Sequence, residues 1–169
     1  MRIAVNTITT QKKSGGVYQI AYNFLLETLL HNDEAEWYYI TSADVDEQVC
    51  NEFESIRGTR YFVFPTQPNL KTYKSVAKQL SEWEEKYKPD VIYSISAPSY
   101  FSFKTKEVIR FANAWVTNPN GYSWRSLSVY KKIRTWLYCI NQRRLLKKSK
   151  FIITQTNVVK KGILRITSI

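Results

Sequence analysis

The amino-acid sequence predicts one doubly wound α/β domain with a mainly parallel sheet. Three features carry that expectation. Strand-like and helix-like segments alternate from one end of the chain to the other, so successive strands are joined by crossovers. The strand-like segments are short apolar runs, such as residues 91–95 (VIYSI) and 151–154 (FIIT). The 169 residues suffice for one domain with a good core and would crowd two.

Each element has a local reason. Residues 2–7 form a short apolar strand, and residues 8–14 a polar loop closed by Gly15 and Gly16. A helix is expected over 17–31, because Ile20, Phe24, Leu25 and Leu29 fall on one face at helical spacing. An aromatic-rich strand over 36–41 precedes a helix over 44–55, and a strand over 60–64 is stopped by Pro65. Residues 72–88 make an amphipathic helix with Val76, Leu80, Trp83 and Tyr87 on one side, broken at Lys88-Pro89-Asp90. Strands follow over 91–95 and 108–112. One long helix is expected over 123–148, with Leu127, Ile133, Trp136, Leu137 and Ile140 facing inward. A strand over 151–154 and a helix from residue 158 complete a Rossmann-like alternation.

Composition narrows the class. Hydrophobic residues at 44% and charged residues at 23% are ordinary for a soluble globular protein, while aromatics at 15% must fill a core or line a cleft. No apolar run approaches the roughly 20 residues that span a bilayer. The first residues, MRIAV, enter a strand pattern at once and lack the features of a secretory signal. Cys50 and Cys139 lie far apart in helix-like segments, which fits a reduced, cytoplasmic setting better than a disulfide framework. The net charge of +11 predicts attraction to an anionic partner: phosphate groups, a membrane surface or nucleic acid. The excess is concentrated late, in Lys131, Lys132, Arg134, Arg143, Arg144, Lys147, Lys148, Lys150, Lys160 and Lys161, whereas residues 33–54 run acidic.

In a parallel doubly wound sheet, ligands bind outside the carboxyl ends of the strands. That directs attention to residues 8–16, 94–100, 113–120 and 155–157. Gly15 and Gly16 precede a helix start, where glycines let a backbone pass close to a ligand and first-turn amides attract phosphate. The same pair also reads as a tight strand-to-helix turn. Residues 94–100 (SISAPSY) offer hydroxyls suited to a polyhydroxy ligand, or form a solvated loop. Asn113-Ala114-Trp115 and Asn118-Pro119-Asn120-Gly121 join amides to a ring, in dipeptides that are turn formers first.

Other motifs are better explained by structure. Asp44-Val45-Asp46 has the spacing with which some sugar transferases hold a divalent metal, but it falls where a helix should start and carboxylates are favourable. His31, the only histidine, sits at a helix end, away from the ligand edge, so a Ser-His-Asp triad is not expected. No Cys/His cluster has structural zinc spacing.

The order of strand, short loop, Gly15-Gly16 and amphipathic helix resembles the N-terminal domain of GT-B glycosyltransferases. The nearest type is the large retaining family called glycosyltransferase group 1, or family 4. Further points of likeness are Lys88-Pro89-Asp90-Val91-Ile92-Tyr93 leading into a strand, and Phe151-Ile152-Ile153-Thr154-Gln155-Thr156 near the end. The resemblance spans essentially the whole chain and rests on the order of its motifs. It implies a two-domain enzyme of glycan biosynthesis that transfers a sugar with retention and without an essential metal or other cofactor. The N-terminal domain binds the glycan or lipid-linked acceptor, and a second domain holds the nucleotide-sugar donor. By the resemblance, Gly15 and Gly16 approach the donor diphosphate. Ser96, Ser99, Tyr100, Asn113, Trp115, Asn118 and Thr156 line the acceptor side. Many family members carry a histidine where this chain has Asn113-Ala114-Trp115. The chain ends at Ile169, where the family continues into its donor domain, so residues 1–169 are expected to form a single acceptor-side domain without turnover of its own.

The basic late helices fit peripheral contact with the inner face of an anionic membrane, with helix 123–148 docking by its basic face, or else a solvated charged face. Two other classes stay open. One is a non-catalytic basic module for anions or nucleic acid, although no recognition-helix or base-stacking signature is present and nucleic acid is not expected as a partner. The other is half of a GT-B nucleotide-sugar epimerase.

Overall fold

The computed structural model describes residues 1–30, 34–53, 60–64, 69, 71–95 and 100–167. Its elements run β1 (Arg2–Asn6), α1 (Gly16–Leu30), β2 (Glu36–Ser42), α2 (Ala43–Phe53), β3 (Tyr61–Phe64), α3 (Tyr73–Tyr87), β4 (Val91–Ser94), β5 (Lys106–Phe111), α4 (Ala114–Thr117), α5 (Gly121–Arg125), α6 (Val129–Leu146), β6 (Phe151–Thr154) and α7 (Asn157–Thr167), with a 3-10 turn at Lys12–Ser14. The strands form one sheet in the order β3-β2-β1-β4-β5-β6. Every neighbouring pair is parallel, so the doubly wound Rossmann-like class is the one observed. The winding direction reverses between β1 and β4, because the chain proceeds outward to β3 and then returns to the centre.

That reversal puts helices on both faces. On one face, Val5 and Tyr39 are buried with Tyr18, Ala21 and Leu25 of α1 and with Val45 and Val49 of α2. On the other, Ala4, Tyr38, Ile40 and Ile92 pack against Val76, Leu80 and Trp83 of α3. Further along that same face, Ile109, Phe111 and Ile152 meet Val116, Cys139, Leu146, Val159 and Ile163 from α4, α6 and α7. Aromatic rings fill both layers; beneath α3, Phe62 lies 4.6 Å from Tyr87 and 5.7 Å from Trp83, between ring centroids. Such tilted and edge-on contacts suit the ring quadrupoles.

α3 ends as its sequence requires. Lys88 adopts φ 46°, and its amide donates to the Glu84 carbonyl at 2.9 Å, an αL cap before Pro89 stops the helix. Glycine takes that conformation without the steric cost of a Cβ. Lys88→Gly is therefore expected to raise stability by about 0.5–1 kcal/mol in urea unfolding.

Across the edge of the sheet, Glu36 accepts the Tyr38 hydroxyl at 2.8 Å and pairs with Arg60 at 3.4 Å and Arg2 at 3.5 Å. The Tyr38 hydrogen bond, then the two guanidinium groups, hold its carboxyl below the ordinary carboxylate value. A carboxylate with a depressed folded pKa stabilises the fold above its unfolded pKa, and that contribution is lost as pH falls through the folded value. Glu36→Gln should thus flatten the acid limb of stability against pH, with variant and parent converging at the acid end. Curves that differ by a constant at all pH would contradict this ion cluster.

The largest departure from expectation lies in the predicted helix 123–148. It is two helices, α5 and α6, separated at Ser126-Leu127-Ser128. Ser126 Oγ donates to the Ser123 carbonyl at 2.8 Å, and Ser128 is extended (φ −63°, ψ 159°) as the cap of α6. Serines compete with the helical ladder in this way. The inward face is also different. Ile133, Trp136 and Leu137 are more than half exposed, and Leu127 and Ile140 are only half-buried. The buried stripe is Cys139, Gln142 and Leu146, drawn in by α4. Cys139 Sγ reaches the Trp115 carbonyl at 3.5 Å, and Arg143 Nε donates to the Val116 carbonyl at 3.0 Å. α4 itself falls within residues read from sequence as a turn-rich loop.

Candidate functional site

In a sheet of this winding the expected crevice lies outside the carboxyl ends of β1 and β4. Asn6 and Ser94, the last residues of these strands, are buried there and joined, Asn6 Nδ2 donating to Ser94 Oγ at 3.0 Å. Ser94 Oγ in turn donates to Glu107 Oε1 at 2.5 Å, and Asn6 Oδ1 accepts the Ile8 amide at 3.1 Å. This chain of bonds fixes where the β1 loop leaves the sheet. The loop is then tied to the β2–α2 junction: Ser42 Oγ donates to the Thr10 carbonyl at 2.7 Å, and the Lys12 amide to Asp44 Oδ2 at 2.9 Å. Asp44 and Asp46 lie in the first turn of α2, so the D-x-D motif has a helix-start role.

Gly15 and Gly16 emerge from this anchored loop, both exposed. Gly15 takes φ 56°, and its carbonyl accepts the Gln19 amide at 3.2 Å, opening α1. Gly16 is the first residue of the helix, and among the described residues no atom beyond the adjoining backbone lies within 4 Å of where a Cβ would stand on either glycine. The backbone edge here is open to an approaching group. First-turn amides have no carbonyl partner inside their own helix and carry the positive end of its dipole. The two positions differ in what they tolerate. Gly15→Ala should cost about 1–2 kcal/mol because it forces an L side chain into the left-handed region, whereas Gly16→Ala should be neutral or stabilising by up to about 1 kcal/mol. Equal effects of the two substitutions in urea unfolding would contradict this loop geometry.

A second group of polar side chains stands beyond β4 and β5. Tyr100, partly exposed, accepts a hydrogen bond at its hydroxyl from Gln142 Nε2 at 2.9 Å. Its carbonyl accepts the Tyr73 hydroxyl at 3.0 Å, while Tyr73 stacks on Phe101 with centroids 5.3 Å apart. Asn113 caps α4, its Oδ1 accepting the Trp115 amide at 3.0 Å, and its Nδ2 donates to the Tyr138 hydroxyl at 3.3 Å. Burial raises the pKa of both Tyr100 and Tyr138, and for Tyr138 the nearby Tyr100 adds to the rise. Two phenols, a primary amide on a cap and a buried Gln142 thus converge near the end of β5. Trp115 extends the surface, its ring edge-on to Trp124 at 5.9 Å.

The remaining candidates go elsewhere. Asn118 Nδ2 donates to the Val158 carbonyl at 3.1 Å and Thr156 Oγ1 accepts the Val159 amide at 3.3 Å, so both secure the start of α7. Ser96, Ser99 and His31 lie outside the described residues. Gln142 and Tyr138 were not legible as site residues, because helical spacing placed them beside apolar neighbours. Arg110 was also missed. It is buried on β5, on the face that carries Tyr93 and α1, and among the described residues no carboxylate lies within ion-pair distance of it. A hollow of about 340 Å³ lined by Lys150, Ile152, Thr154, Lys160, Ile163 and Leu164 runs along the outer strand β6 and contains none of the predicted site residues.

Fold and edge together define a Rossmann-like α/β domain whose winding reverses between β1 and β4, the place where sheets of this class commonly bind ligands. No protein-family model, no curated protein and no solved structure matches the chain. Among the described residues no helix is long and apolar enough to cross a membrane, and no three His, Cys, Asp or Glu side chains are grouped to hold a metal ion.

Proposed function

We propose that this domain is the acceptor-side half of a GT-B glycosyltransferase of the retaining group 1 type, which transfers a sugar from a nucleotide-sugar to a glycan or lipid-linked acceptor. The observation that carries the reading is that one sheet edge holds both an open glycine helix start and a convergent set of hydroxyl-binding side chains. The amides of Gly16 and Val17 suit a diphosphate, which needs donors and positive potential rather than a side chain. Tyr100, Asn113, Tyr138 and Trp115 suit a sugar, whose hydroxyls pair with phenol and amide and whose C–H face lies on a ring. The division of labour in this class leaves the nucleotide to a second domain, so residues 1–169 supply acceptor positioning.

Oligosaccharide binding followed by tryptophan fluorescence tests the reading. Tyr100→Phe removes one hydroxyl and should weaken binding by about 2–10-fold. The chain alone should turn over no nucleotide-sugar. Binding indifferent to Tyr100 and Asn113 substitutions, or turnover by the isolated chain, would contradict the assignment.

A further inference from the structure

The outward face of α6 is apolar where a solvated helix would be polar. Val129 is 73% exposed, Tyr130 74%, Ile133 56%, Trp136 56% and Leu137 55%, and Tyr122 on α5 is 86% exposed. Val129, Tyr130, Ile133 and Leu137 follow helical spacing on the side opposite the buried Cys139, Gln142 and Leu146. Past Asn141 the same outward side becomes basic, with Arg144, Lys147 and Lys148 exposed. Exposed Arg125, Lys131 and Arg134 flank the apolar part. The setting is one-signed: residues 108–169 hold 13 Lys and Arg and no Asp or Glu, whereas residues 1–107 hold 12 basic and 14 acidic residues.

We propose that α5 and the N-terminal half of α6 dock the domain on an anionic lipid bilayer, the apolar side chains entering the interface and the surrounding cations meeting the headgroups. The residue types match both layers. Aliphatic Val129, Ile133 and Leu137 gain by leaving water, Tyr and Trp prefer the headgroup level, and Lys and Arg beside an apolar stripe pair with anionic lipid. A second copy of the chain is a poor occupant, because a self-complementary contact brings Lys131 and Arg134 against their own kind with no carboxylate between. Nucleic acid would use the cations but leave the exposed aliphatic side chains without a partner. Docking in this way differs from contact through a basic outer face alone, since the apolar side of α6 is the one that faces out. The proposal does not rest on the transferase reading. Taken with that reading, Tyr138, which follows Leu137 on α6 and accepts a hydrogen bond from Asn113, links the polar cluster to the docking helix.

Co-sedimentation of the full chain with phosphatidylcholine vesicles, with and without phosphatidylglycerol, tests this. Binding should require the anionic lipid and weaken with salt. Ile133→Ser/Leu137→Ser, both exposed, should lose about tenfold or more of the binding while circular dichroism and urea midpoint stay unchanged. Lys131→Glu/Arg134→Glu should lose a comparable factor. Lipids brominated on the acyl chain should quench the parent's fluorescence, and Trp136→Phe should remove most of that quenching. No sedimentation with anionic vesicles would overturn the proposal. So would binding that survives Ile133→Ser/Leu137→Ser, or a dimer in solution that the same double substitution dissolves while vesicle binding is absent.

Discussion

Phe111→Ala is expected to destabilise the domain by about 3–5 kcal/mol, the range for removing an aromatic ring from a rigid core. Phe111 is fully buried at the end of β5 and is the largest side chain in that state. Its ring joins the sheet to a layer built from α4, α6 and α7, through Val116, Cys139, Leu146, Val159 and Ile163. No neighbouring element can collapse into the space, because α4 is already pinned to α6 by the Cys139 and Arg143 bonds. Against a typical total of about 5–15 kcal/mol, such a loss removes much of the native population. Urea unfolding measures it directly. A loss below about 1 kcal/mol would mean that the three helices do not close on β5 as described.

Gly162→Val is expected to cost about 3 kcal/mol or more, from the opposite cause. A Cβ at Gly162 would stand 2.6 Å from Thr117 Cβ, 2.9 Å from Asn118 Nδ2 and 3.0 Å from the Thr117 carbonyl oxygen. Thr117 is buried and the carbonyl is backbone, so neither can move aside cheaply. α7 must then tilt away from α4, which also stretches the Asn118–Val158 bond. For Gly162→Ala, the gain in helix propensity of about 1 kcal/mol offsets part of an overpacking cost of about 1–3 kcal/mol. The valine variant has less of that gain and a larger clash. Val stability equal to that of the parent would show that α4 and α7 are not in contact at this glycine.

What the sequence made legible follows from where its signals are local. Apolar runs and the breaks at Pro65 and Pro89 locate strands and helix ends, because each depends on a few adjacent residues. The doubly wound class with helices on both faces follows from that alternation by general topology. The face of α6 was not legible: apolar residues occupy both of its sides, and only the position of α4 selects Cys139, Gln142 and Leu146 for burial. The serines at 126 and 128 carried a signal for the break, which apolar spacing on either side overrode. Asn113 and Tyr100 could be proposed because loop amides and hydroxyls at strand ends are recognisable. Their partners Tyr138 and Gln142 could not, since they arrive from a helix 25 and 42 residues away. Asn118 and Thr156 show the reverse, with polar groups at a strand edge that serve caps and inter-helix bonds.

Under the proposed function, the carboxyl edge at the β1/β4 reversal is the ligand-binding side. Amide chemical-shift mapping of the ¹⁵N-labelled chain tests it most directly, with a nucleoside diphosphate and an uncharged oligosaccharide added separately. The diphosphate should shift Gly15, Gly16 and Val17, and Gly16→Ala should weaken those shifts without lowering stability. The oligosaccharide should shift Tyr100, Asn113, Trp115 and the Gln142 side-chain amide. Shifts confined to β6 and α7, or diphosphate shifts spread over Lys147, Lys148 and Lys160 with the glycines unmoved, would contradict it.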